Sequence, residues 1–247
     1  MAGGGVEGAT KLVSLSEEIR SERPMIPDNS VDCVVSNCVL NLVRGEDRQK
    51  LFDEIYRVLK PGGMAAISDI VSDESVPQEL QNDENLWSGC ISGAWREDEF
   101  VEEFMGVGFQ GVKIDKRQEE AWQTVEGIEF RSVTLLAHKP IGEVCLERNQ
   151  AVIYRGPFEK VLDDDDHVYF RGKRMAVCDK TYQILKKSAY ADQFYFIDPV
   201  KEIPLSEAKE FNCAEDQIRD ARQSKGKDFK LTVLADGDCC GESTDCC

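Results

Sequence analysis

The 247-residue chain sets 47 acidic against 30 basic side chains, a formal charge of −17, and 41% of its residues are hydrophobic. That is enough apolar material for one or two buried cores, while a negative surface repels phosphate backbones and argues against a nucleic-acid partner. No apolar run approaches the roughly 18 residues of a membrane span, and the opening segment has no apolar signal-peptide core. Ten cysteines are too few for a small disulfide scaffold. The chain therefore reads as cytoplasmic, thiol-rich and without a membrane partner.

The opening MAGGG carries no structural signal. The turn residues IPDNS precede a short apolar run, Val31–Val35, expected as a strand with Cys33 in the core. It leads into SNCVLNL, residues 36–42. In GEDRQKLFDEIYRVLKPGG, Leu51, Ile55, Val58 and Leu59 form one helical stripe, which Pro61-Gly62-Gly63 stops. Met64–Val71 reads as a buried strand, Asp98–Met105 as a helix ending at Gly106-Val-Gly, and Val112–Lys116 and Arg131–His138 as strands. Strands alternating with helices predict a parallel sheet covered on both faces.

After Lys139-Pro140 the pattern changes to short strands, Ala151–Tyr154 and Val168–Phe170. An acidic run at Asp163–Asp166 reads as a solvated turn, and a helix is expected near Thr181–Ser188. This predicts a small α+β unit. Beyond about residue 200 the chain is polar and ends in DGDCCGESTDCC, expected to be disordered because it offers little to bury.

Gly106-Val-Gly-Phe-Gln-Gly111 matches G-x-G-x-x-G, but it follows a helix and precedes a strand. The dinucleotide fingerprint needs the reverse order, so this is a helix stop. The informative place is Ser36-Asn37-Cys38, at a strand end where open α/β sheets bind ligands. There Cys38 is either a buried small hydrophobe or a group facing a cleft. His138 and His167 have no nucleophile or second ligand at metal spacing and receive no catalytic role.

VDCVVSNCVLNL, EIYRVLKPGGMAAISDIV and LWSGCISGAW together resemble the second half of an arsenite methyltransferase. Cys145-Leu-Glu-Arg-Asn-Gln150 with the following AVIYRG, then DDHVYFRGKRMAVC and SAYADQF, are similar to that family's C-terminal, arsenic-binding region. The resemblance implies an incomplete class I methyltransferase (Rossmann-like) sheet over residues 14–140, after a flexible 1–13. A small α+β arsenic-binding domain over 141–200 and a Cys-rich tail over 201–247 would follow.

It also implies transfer of a methyl group from S-adenosylmethionine (SAM) to trivalent arsenic, with a thiol reductant, glutathione or thioredoxin, as partner. Arsenic is a soft centre that prefers sulfur. Carried onto this sequence, the ligands are Cys38 and Cys145. Asn37 takes a cofactor-facing place or caps a turn, and Glu18 is the nearest acid for the adenine. Cys90 lies in the GCISGA block and either shapes the site or packs beside Trp87. Cys178 reads as structural. Cys239, Cys240, Cys246 and Cys247 are either auxiliary soft-metal thiols or a dispensable tail, since C-C-x5-C-C is not a structural zinc spacing.

The family opens with a strand, a glycine-rich loop for the cofactor and a second strand ending in an acid. None of these is recognisable here, so about three strands and most SAM affinity are expected to be missing. The alternative to an enzyme is a non-catalytic thiol protein for arsenic or another soft metal.

Overall fold

The computed structural model describes residues 24–142, 144–187 and 189–226, with isolated residues 8, 10, 11, 14, 15, 230 and 232. Glu18, Cys239, Cys240, Cys246 and Cys247 lie outside the described residues.

A first sheet runs β1 (Val31–Asn37), β2 (Leu59–Ser72), β6 (Ile128–His138) and β4 (Gln110–Arg117), with β3 (Trp95–Arg96) on β2 and β5 (Gln123–Val125) on β6. β1 and β2 are parallel, but β6 is antiparallel to both β2 and β4. The sheet is therefore mixed, where alternation alone predicted a parallel one. The miss is physical: β4 and β6 are separated by a segment that supplies the short β5 and no helix, so β6 returns antiparallel beside β4.

Helices α1 (Gly45–Val58) and α4 (Glu97–Val107) pack on one face of this sheet. Glu46 and Asp47 lie in the first turn of α1, favourable against its partial positive charge. Phe52, Ile55 and Val58 are its buried stripe, with Leu51 half-buried. Phe52, Ile55 and Leu51 pack in one cluster with Phe100 and Phe104 of α4 and Ala65, Ile67 and Leu135 of the sheet. Phe52 contacts Phe104 edge-on at a centroid distance of 5.0 Å. Gly108, at φ 99°, ends α4 in the left-handed region.

Among the described residues the opposite face is covered at two places, around the buried His138 beside Ile184, Lys187 and Tyr190, and near the carboxyl end of β2. There Ile70, Ile91, Ile128 and Phe130 pack with Val76 and Leu80 of the segment carrying α2 (Gln78–Gln81) and α3 (Glu84–Ser88). Met64, Ala66 and Ser68 stay half-exposed. Among the described residues the expectation of cover on both faces thus holds at the two ends of this face and not between them. β1 is the outermost strand among the described residues, Val35 is 74% exposed, and Cys33, expected in the core, is exposed.

The helix stops at Val58, ahead of Pro61-Gly62-Gly63: Leu59, expected on the helical stripe, already pairs in β2, and Pro61-Gly62-Gly63 forms the bulge that sets the β1–β2 register. Val31 pairs Leu59, and Cys33 then pairs Met64. A Cβ on Gly63 would come within 2.8 Å of the Lys60 carbonyl oxygen, so only glycine fits this crossing.

The second unit is built on a three-stranded sheet, β11 (Arg174–Ala176), β8 (Ala151–Tyr154) and β12 (Phe194–Ile197). β9 (Lys160–Leu162) pairs β10 (Val168–Phe170), and β7 (Leu146–Glu147) pairs β13 (Lys209–Glu210). Its core joins Val152, Tyr154, Tyr169, Met175 and Phe194 to Tyr182 and Leu185 of helix α5 (Asp179–Leu185).

Residues 201–226, expected in a disordered tail, are ordered here. β13 closes on β7, and Ser224 of α6 (Ala221–Lys225) donates to the Asn149 carbonyl at 3.0 Å. Arg219 makes two bonds to Glu147, of 2.8 and 2.9 Å. The segment is polar in composition because its polar groups are the ones that bind.

The acidic run is an exposed turn at Asp164–Asp166, as expected, but Asp163 is half-buried and the run is bonded on both sides. Asp163 accepts from Tyr169 Oη at 2.6 Å and pairs with His167 Nδ1 at 2.9 Å. Asp164 accepts from the Gly111 amide, and Asp165 accepts from Gln110 Nε2 at 2.6 Å and Lys180 Nζ at 3.0 Å. This loop fastens the second unit to β4 of the first sheet.

Candidate functional site

Parallel pairing delivers the chain to Cys38 at the carboxyl end of β1, where its amide still bonds the Ser68 carbonyl at 2.9 Å. There the backbone turns to φ 52°. It continues into a 3-10 turn at Leu40–Leu42, whose first amide donates to Asp69 Oδ2 at 2.9 Å. Asp69 is fully buried on β2 and also accepts from the Ile70 amide at 2.8 Å.

Cys90 arrives from the other side. Asp83 caps α3, accepting from the amides of Asn85 and Leu86 at 2.8 and 3.2 Å. The helix ends at Gly89, Cys90 takes φ 61°, and Ile91 turns inward to the core. Cys90 Sγ then lies 3.6 Å from the Cys38 carbonyl oxygen. Two non-glycine residues in the left-handed region, at facing loop ends, mark a site where surrounding structure holds the backbone against its preference.

Three residues fix this geometry. Asn41, fully buried, donates from Nδ2 to the Ile70 carbonyl at 2.7 Å and the Cys90 carbonyl at 3.0 Å, tying both loops together. Arg48 donates to the Val43 and Gly93 carbonyls and lies 3.9 Å over the Trp95 ring. Gly93 passes so close to Asn41 that a Cβ would sit 1.9 Å from its carbonyl oxygen.

The site is electrostatically negative. Burial, with the Asp69 carboxylate added to it, raises the Cys38 thiol above its ordinary value; burial, Asp69 and Cys38 do the same to Cys90. Burial also raises Asp69, against the amides that bond it. Both cysteines are therefore thiols at neutral pH, suited to condensing with a neutral thiophilic acceptor.

Of the sequence-predicted site residues, the structure brings Asn37, Cys38 and Cys90 together. Cys38 Sγ contacts Asn37 Oδ1 at 3.4 Å, and Asn37 is exposed. Cys145 stands elsewhere: its sulfur clusters with those of Cys178 and Cys213, all within 4.8 Å of one another, and Cys38 is not in that group. Sequence reasoning did not single out Asp69, Asn41, Gly93, Arg48 or Cys213. Only Cys213, a cysteine beyond the α+β pattern, carried a visible signal.

Among the described residues no strand lies outside β1, and no glycine turn joins a strand to a helix on that side. No helix among them is long and apolar enough to cross a membrane.

Residues 15–126 match a family model described as a methyltransferase domain, and residues 142–229 match a domain of unknown function, DUF8838. The arsenite methyltransferase of Homo sapiens is 30% identical over 238 residues, covering 90% of this chain and 62% of that protein. That of Aquipseudomonas alcaligenes is 32% identical over 184 residues, covering 70% and 53%. The crystal structure of an arsenic(III) S-adenosylmethionine methyltransferase from Chlamydomonas reinhardtii aligns at 25% identity and a TM-score of 0.48, covering 83% of this chain and 77% of that one. The chain thus spans 53–62% of the length of these curated relatives. Its fold is class I methyltransferase-like, with a mixed sheet and helices, and by sequence the chain is a relative of the arsenite methyltransferases.

Proposed function

We propose that this chain holds trivalent arsenic between Cys38 and Cys90 and presents it for SAM-dependent methylation. The observation that supports this most directly is the meeting of two strained cysteines at the carboxyl end of β1, where sheets of this kind place their ligands. Arsenite condenses with two thiols: two As–S bonds form, two As–OH bonds break, and each thiol proton leaves in water. The arsenic lone pair stays free.

Asn41 and Arg48 hold together the two loops that carry the cysteines, and Asp69 supplies a negative field that favours an electron-rich arsenic. SAM, when bound, supplies an electrophilic methyl group. We assign the exposed Asn37, at the end of β1, to face it; Glu18 lies outside the described residues. Each methylation leaves arsenic two electrons more oxidised, so a thiol reductant of the glutathione or thioredoxin class is the partner that restores it. Cys145 takes no part in this pair.

A second reading is a thiol protein that binds arsenic and does not methylate it; the exposed Cys38 with its neighbour Cys90 supports it equally. Titration of the reduced chain with arsenite and with SAM separates the two readings, in a background where Cys145, Cys213 and the four tail cysteines are Ser and with Cys38→Ser and Cys90→Ser as controls. Binding of both ligands, with methylated arsenic formed, supports the enzyme. Arsenite binding that needs both cysteines, without SAM binding, supports the second reading. Arsenite binding indifferent to both substitutions removes the proposed site.

A further inference from the structure

Cys145, Cys178 and Cys213 come from three separate segments, and the fold brings them together for reasons independent of the Cys38–Cys90 pair. The antiparallel β7–β13 register pairs Leu146 with Glu210, and the Phe211 amide bonds the Cys145 carbonyl at 2.9 Å. Cys145 and Cys213 therefore flank the same end of one ladder. Asn212 shapes the intervening turn by accepting from the Ala214 amide at 3.0 Å. Cys178, fully buried, precedes α5 and accepts from the Thr181 amide at 3.4 Å. All three are free thiols.

We propose that these three cysteines form a second arsenic site, a trithiol that takes arsenite in pyramidal three-sulfur coordination and staples the C-terminal unit closed. No histidine, carboxylate or further cysteine completes the group among the described residues. Zinc asks for four ligands, whereas trivalent arsenic makes three bonds and keeps a lone pair. The balance is As(OH)3 plus three thiols giving As(SR)3 plus three waters. Three As–S bonds replace three As–O bonds, each thiol proton leaves with a hydroxyl, and no electrons move.

The product is neutral. That suits a buried place: burial raises the thiols of Cys178 and Cys213, which disfavours a thiolate cage around a dication and leaves a condensation of thiols unaffected. Cys145 was the residue that the family resemblance linked to arsenic; the structure gives it different companions.

The test uses the full chain, reduced, with Cys239, Cys240, Cys246 and Cys247 changed to Ser to silence the tail. In one form Cys38 and Cys90 are also Ser. Arsenite should add to this form as one arsenic less three hydrogens by native mass spectrometry, with three sulfur neighbours by X-ray absorption. Its melting temperature should rise as binding to the folded state requires. Cys145→Ser and Cys213→Ser, both at partly buried positions, should each weaken binding at least about tenfold, or about 1.4 kcal/mol. They keep the test usable if Cys178→Ser fails to fold.

An adduct of arsenic with one retained hydroxyl less two hydrogens, no adduct, or zinc displacing arsenite in a four-ligand site would each overturn the proposal. The complementary form, with Cys145 and Cys213 as Ser and the Cys38–Cys90 pair intact, reports on the methyl-transfer site alone. The two proposals can therefore fail separately.

Discussion

Cys90 directs its sulfur at the carbonyl oxygen of Cys38 from 3.6 Å, and both residues sit at positive φ, 61° and 52°. A left-handed non-glycine residue costs about 1–2 kcal/mol, and glycine removes that strain while adding about 0.5–1 kcal/mol of unfolded-state freedom. Cys38→Gly should therefore be neutral or up to about 1 kcal/mol more stable by denaturant unfolding. Its arsenite affinity should fall as far as that of Cys38→Ser. A clear loss of stability in Cys38→Gly would mean that the thiol is structural.

Asp69 stands behind both thiols. Burial first and this carboxylate second raise Cys38, and the same two causes, joined by Cys38, raise Cys90. Alkylation of both should therefore follow a midpoint above the ordinary thiol value of about 8.5. In Asp69→Asn the repulsion is gone, so the midpoints should move down and alkylation at pH 8 should quicken, read by peptide mass spectrometry. The amide cannot accept from both Leu40 and Ile70, so this variant should also lose about 1–3 kcal/mol. Unchanged midpoints would show that Asp69 does not act on the thiols.

Much of this fold was legible in the chain. Turn chemistry, the helical stripe and Pro61-Gly62-Gly63 located β1, α1 and β2, and Asn37-Cys38 was recognised as a strand end. Pairing direction was not legible, because the strands Val112–Lys116 and Arg131–His138 read alike whichever way they run. Cys33 looked like core because an apolar strand was assumed to lie inside a sheet, and β1 is at its edge. Asn41 and Asp69 were invisible for another reason: a buried polar group that organises two loops looks like any polar residue until its partners are placed. Cys213 was overlooked because polar composition was equated with disorder.

Gly93 is where the two loops touch. A methyl group there would stand 1.9 Å from the Asn41 carbonyl oxygen and 2.9 Å from Arg48 Nη2. Backbone has to move, so Gly93→Ala should destabilise by about 1–3 kcal/mol or more. Because the displaced loop carries Cys90, the Cys38–Cys90 site should lose arsenite while the trithiol keeps it. Retention at both sites would show that the loop positions are independent.

The Asp163–His167–Tyr169 cluster makes a pH prediction. The Asp163 hydrogen bond raises His167 above its ordinary 6.5, outweighing burial. Burial alone would raise Asp163, but bonds from His167 and Tyr169 outweigh it and hold it below the usual range. For His167, raised in the fold, the stabilisation is complete below pH 6.5 and is lost as pH rises through the folded value. For Asp163 it is present above about 3.9 and is lost as pH falls through its depressed value. The melting gap between the parent chain and His167→Asn should therefore be widest near pH 5–6 and shrink toward pH 9. A gap that grows with pH would reverse the assignment.

Arg219 tests whether residues beyond 200 belong to the second unit. Its side chain is 5% exposed, meets both oxygens of Glu147, and bonds the Gln150 carbonyl at 3.3 Å. Removing one partner of such a pair strands the other charge, at about 3–5 kcal/mol. Replacing both with apolar groups of similar size costs far less. Arg219→Ala should thus lower stability by about that amount, and Arg219→Met with Glu147→Leu should recover most of it. Since Glu147 is a rung of the ladder that brings Cys145 and Cys213 to one end, the single variant should also loosen the trithiol and weaken its arsenite affinity, and the double variant should restore both together. Recovery of stability without recovery of binding would mean that the ladder carries the core and not the thiols.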